Sequence, residues 1–157
     1  MGSSDWAAWV QAVGSVLAIV GAAFMPIWHE EIKERRQRQK WLSALAAMAY
    51  EVHDLAKGNY ETVRHEGNRM YAATEGVSTE YEPLLLALAD FPSHVLTDRL
   101  HLSALLHLRR FAAQGSAAWK FICMNGGADM FWTEQREDAK ALMDETRAFA
   151  DGVAKFR

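Results

Sequence analysis

Hydrophobic and polar positions follow a helical period along most of this chain, after an opening run in which polar positions almost vanish. From Trp6 to Trp28, 23 residues pass without a charged side chain, and only Gln11 and Ser15 are strongly polar. At about 1.5 Å per residue a helix of that length reaches about 34 Å, close to the ~30 Å hydrocarbon core of a bilayer. The run therefore predicts a single membrane span, with residues 1–28 as the anchor. Trp6 and Trp9 at one end and Trp28 at the other stand where indole rings settle at headgroup depth. A cleavable signal would need positive charge ahead of the apolar run, and "MGSSD" has none. Trp6 likewise occupies the position where a myristoylation signal needs Ser or Thr.

Past the run the period is 3.6. Trp41, Leu45, Met48, Val52 and Leu55 recur at steps of four and three, the apolar stripe of an amphipathic helix. Tyr60, Val63, Met70 and Ala73 extend helical character to about Thr74, before "EGVSTEYEP" breaks it. "EPLLLALADFP", bounded by Pro83 and Pro92, reads as a short apolar helix buried beneath its neighbours. A long helix is predicted from Ser93 as N-cap, with Leu96, Leu100, Ala104, Leu108, Phe111, Gly115 and Ala118 inward. "NGGAD" would end it through a left-handed cap. A last helix starts near Thr133, with acids early, Lys155 and Arg157 late, and a seam of Ala139, Leu142, Thr146, Phe149, Val153 and Phe156. The expected fold is all-α: a transmembrane helix, then an antiparallel up-and-down bundle over residues 41–157. Trp41, Phe111, Trp119 and Phe149 are its expected core anchors.

Charge decides which way the anchor faces. Residues 29–40 form a basic juxtamembrane segment with five Lys or Arg against three Glu, whereas residues 41–157 carry twelve against sixteen acids. Basic residues beside a span stay on the cytoplasmic side. Lys33, Arg35, Arg36, Arg38 and Lys40 thus predict an outward N-terminus and a cytoplasmic C-terminal part, in a bacterial inner membrane. The same charges suit anionic headgroups. A mildly acidic domain without a basic stripe argues against nucleic acid as a partner.

Inside the run, Ala7, Gly14 and Gly21 recur every seven residues, with Gln11 and Ala18 between them. Small residues let helix backbones approach in lipid, and an amide can bond across the interface, so Gln11, Gly14, Ala18 and Gly21 predict a self-associating seam. Pro26 removes one backbone bond and is expected to kink the helix as it leaves the bilayer.

Candidate chemistry is sparse. His94, Asp98 and His101, spaced by four and three, would share a face of the helix predicted from Ser93 and offer ligands for a divalent metal. Glu61 with His65, and Glu51 with His53, lack the spacing of di-iron bundles. There is no phosphate loop, nucleophile elbow or paired-cysteine site. Cys123 fits a packing role in a reducing compartment, and Met124, Met130 and Met143 read as filler. No enzyme activity and no cofactor is expected.

The stretch "WAAWVQAVGSVLAIVGAAF" followed by charged helix resembles the anchor of small uncharacterised single-span membrane proteins of bacteria and prophages. The resemblance covers about the first forty residues and implies no activity. The leading expectation is a membrane-bound scaffold that binds the lipid bilayer, forms homo-oligomers through its span and presents its bundle to a protein partner. Two alternatives are a membrane-perturbing effector in phage defence or exclusion, and a metal-dependent enzyme using His94, Asp98 and His101.

Overall fold

The structure, a computed structural model, describes residues 3–75, 81–96, 98–126 and 132–155. Every element among them is helical: α1 (Ser3–Arg64), α2 (Glu66–Glu75), α3 (Tyr81–Ala89), a 3-10 turn (Ser93–Val95), α4 (Arg99–Asn125) and α5 (Trp132–Ala154). The chain divides into two compact units, Met1–Lys40 and Trp41–Arg157.

The first unit is the N-terminal part of α1. Among the described residues one helix is long and apolar enough to cross a membrane, and it is this one, with a mean hydropathy of 1.9 in its most apolar window. Pro26 lies inside α1, which stays helical on both sides of it. Inside a helix a proline removes one backbone bond, and its ring crowds the carbonyl four residues back.

In the second unit the α1 stripe is wider than the sequence pattern suggests. Leu42, Leu45, Ala46, Ala49 and Val52 are buried, together with Leu84 and Leu88 of α3, Leu105 and Leu108 of α4, and Ala150 and Val153 of α5. Small alanines on α1 let the neighbouring leucines approach closely, so aliphatic side chains fill the centre. The expected aromatic anchors are only partly buried and pack at its margin: Trp41 stands edge-on to Phe91 at 5.4 Å, and Phe111 to Phe149 at 5.4 Å. A second cluster joins Val63, Ala72, Ile122, Cys123 and Trp132, with Trp119 against it.

Local signals explain the helix ends. At His65 the chain breaks, and the His65 carbonyl accepts from the Asn68 and Arg69 amides to start α2. Pro83 sits in the first turn of α3, where its missing N–H costs nothing. At the far end of α3 the Arg109 guanidinium donates to the Leu88 carbonyl at 2.9 and 2.7 Å and to Ala89 at 3.2 Å. These bonds satisfy acceptors that a helix end leaves open. Only one face of α3 is buried; Leu86 is 66% exposed.

The helix predicted from Ser93 begins later. Ser93–Val95 is a separate 3-10 turn, and Asp98 caps α4 with an extended backbone, its side chain accepting from the Leu100 amide at 2.9 Å. Asp is a strong N-cap because its carboxylate answers an orphan amide at the positive helix end. The turn brings Phe91 and Leu96 into the core and leaves Leu100 65% exposed. At the other end Asn125 closes α4 by donating to the Phe121 carbonyl at 2.9 Å, and Gly126 is right-handed rather than left-handed. The rest of "NGGAD" lies outside the described residues, as does Phe156 of the expected α5 seam.

Candidate functional site

In the first unit the described side chains of the apolar run from Trp6 to Trp28 are all exposed. Trp6 is 74%, Trp9 69% and Trp28 69% exposed, and Leu17, Ile19 and Phe24 are similarly open. A methyl group added at Gly14 or Gly21 would meet nothing within 4 Å, and Gln11 and Ala18 are also exposed. The Ser15 hydroxyl donates to the Gln11 carbonyl at 2.9 Å, so it is satisfied within its own helix. Lys33, Arg35, Arg36, Arg38 and Lys40 are exposed, and no ion pair involves them among the described residues.

The predicted ligand face of His94, Asp98 and His101 does not form. His94 is exposed on the 3-10 turn, Asp98 is engaged as the α4 N-cap, and His101 lies within α4. The three no longer share one helix, because the helix starts after Asp98 rather than before His94. Among the described residues no group of three or more His, Cys, Asp or Glu is placed to hold a metal ion. The His65 ring approaches Glu61 at 4.0 Å on an exposed surface. His53 faces Thr146 across α1 and α5 at 3.4 Å. The Thr146 hydroxyl also donates to the Met143 carbonyl at 2.9 Å.

Two buried polar clusters, invisible in the apolar pattern, tie the helices together. Asn59, 2% exposed, donates to the Tyr81 hydroxyl at 3.0 Å and to the Gly115 carbonyl at 2.9 Å, joining α1, α3 and α4. Arg69, 7% exposed, donates to the Val63 carbonyl at 2.9 Å, and its guanidinium lies 4.7 Å from the Trp132 ring centre. One α2 side chain therefore closes the end of α1 and holds the start of α5.

Beside this second cluster α4 and α5 part to leave an open cleft of about 280 Å³. Val63, Ala118, Ile122, Ala139 and Leu142 form its apolar surface, and Gln114, Gln135, Asp138 and Glu145 its polar edge. Asp138 and Glu145 are exposed and take part in no ion pair among the described residues. The sequence signal was present: two acids seven residues apart on α5 share a face. What was missing was the register of α5 on α4. A second groove, almost wholly apolar, runs between Leu100, Ala104 and His107 of α4 and Phe149, Gly152 and Val153 of α5. Comparison with protein-family models, with curated proteins and with solved structures gives no match for this chain.

Proposed function

We propose that this chain is a single-span protein of the bacterial inner membrane that self-associates through its span and presents an antiparallel bundle, residues 41–157, to a protein partner in the cytoplasm. The observation that carries the proposal is the complete exposure of the apolar window in α1, of which 0% is buried. Removing a large apolar side chain from water is worth about 1.5–3 kcal/mol. Summed over the outward Val, Leu, Ile, Phe and Trp side chains, the gain is on the order of 20 kcal/mol, beyond the ~5–15 kcal/mol that holds a typical domain together. A bilayer covers that surface, and a helix satisfies its backbone groups within one segment there.

The basic residues from Lys33 to Lys40 support the inward placement of the C-terminal part. The open faces of Gly14 and Gly21 support close helix approach in lipid. The edge-on contact of Phe111 with Phe149, with Ile122 and Ala139 lining one cleft further along, supports opposite chain directions for α4 and α5. The membrane-perturbing reading has less behind it, since the Ser15 hydroxyl is already spent on its own helix.

Fractionation of cells expressing the full chain tests the proposal. The protein is expected in the pellet after ultracentrifugation, to resist alkaline carbonate and to be released by a maltoside detergent. Recovery in the soluble fraction without detergent overturns it.

A further inference from the structure

We propose that the cleft between α4 and α5 is the docking site for a protein partner's helical segment bearing Arg or Lys residues seven positions apart. The inference rests on the scaffold reading and names the surface through which the scaffold would act.

Three observations converge on that occupant. First, the cleft is open, and its lining joins an apolar surface of Ala118, Ile122, Ala139 and Leu142 to the polar side chains of Gln114, Gln135, Asp138 and Glu145. Second, the charged groups lining it are the carboxylates Asp138 and Glu145, with the carboxamides of Gln114 and Gln135 beside them and no lining cation. Arg136 and Lys140, although on the same helix, do not line it. Third, neither carboxylate has an ion-pair partner among the described residues.

An apolar anion would be repelled by this edge, and a purely apolar segment would leave both carboxylates beside it unmatched. Arg and Lys side chains complement both parts: their aliphatic stems cover apolar surface while the cationic head stays with the carboxylate. Carboxylates seven residues apart on α5 are about 10.5 Å apart along its axis. Cations seven residues apart on a second helix have the same separation, so one helix lying along the cleft places both heads together. Carbonyl oxygens of Gln114 and Gln135 can accept the remaining donors.

The test uses the full chain purified in neutral maltoside micelles, so its outcome does not depend on where the protein resides in the cell. Two labelled alanine-based helical peptides serve as probes in fluorescence anisotropy. One carries two arginines seven residues apart, and the other carries them five apart, on different faces. The first is expected to bind more tightly. Replacing both Asp138→Asn and Glu145→Gln should weaken it by about tenfold, whereas Glu137→Gln, outside the cleft, should leave it unchanged. Circular dichroism confirms that the variants stay helical.

Equal binding of the two peptides, or indifference to the double substitution, overturns the proposal. Tight binding of spermidine that is lost in the same double variant also overturns it, by assigning the cleft to a small polycation. Failure of the fractionation experiment with success here would remove the membrane reading and leave the cleft standing.

Discussion

Gly115 shows how much of this fold depends on single atoms. A Cβ at this position would stand 2.6 Å from the Tyr81 hydroxyl and 2.7 Å from its ring edge. The ring cannot yield easily, because the same hydroxyl accepts from the buried Asn59. Gly115→Ala, although neutral or better in an open helix, is expected to lower stability by about 1–3 kcal/mol, read as a drop in thermal midpoint by circular dichroism. An unchanged midpoint would mean that Tyr81 is not locked. The apolar periodicity marked Gly115 as inward yet could not reveal this role. That role depends on Asn59, 56 residues earlier, which a hydrophobic pattern counts as a polar interruption. The same blindness hid Arg69, since a charged residue in an amphipathic stretch is ordinarily solvated.

At the scale of elements, the helices themselves were legible, and so was the start of α5 near Thr133, but the start of α4 was not. In the stripe from Trp41 to Leu55, Leu45 and Val52 are buried and the others partly so; in the α5 seam Ala139, Thr146 and Val153 are buried, and the short apolar helix buries Leu84 and Leu88. The start of α4 was misplaced because Ser93 and Asp98 are both good caps, and only packing of Phe91 and Leu96 chooses between them. That choice also dissolves the His94, Asp98 and His101 face, which existed only on an uninterrupted helix. Two joints between elements rest on cationic side chains reaching carbonyls, Arg69 to Val63 and Arg109 to Leu88. Arg69 links α1, α2 and α5, so Arg69→Met should cost about 1–3 kcal/mol, the sum of a charged hydrogen bond and a cation–π contact less the desolvation of a buried cation. Arg69→Lys should fall between the two, because an ammonium keeps the bond to Val63 but not the planar stacking. Urea titration followed by tryptophan fluorescence measures both, and equal midpoints for Arg69→Met and the parent chain would show the linkage to be idle.

For the whole molecule, the sequence spoke most clearly where packing plays no part. The Trp-bounded apolar run is recognisable from length and flanks alone, and it emerges as a helix none of whose apolar window is buried. The cleft was out of reach for the opposite reason: it exists only through the register of two helices brought together. If the span assembles as proposed, Gly14→Leu with Gly21→Leu should reduce crosslinked oligomers severalfold in membranes without shifting the protein out of them. Oligomers of undiminished yield would move self-association away from that seam.

Cys123 is the chain's one cysteine, and it is only 7% exposed, set against Ile122 and Trp132. The folded exterior thus offers almost no native thiol to a bulky, water-soluble maleimide. A reporter cysteine placed by substitution on either flank of the apolar run would carry nearly all the label by itself. Sidedness could then be read chemically in intact cells, with no need to strip the protein of its own sulfhydryl first.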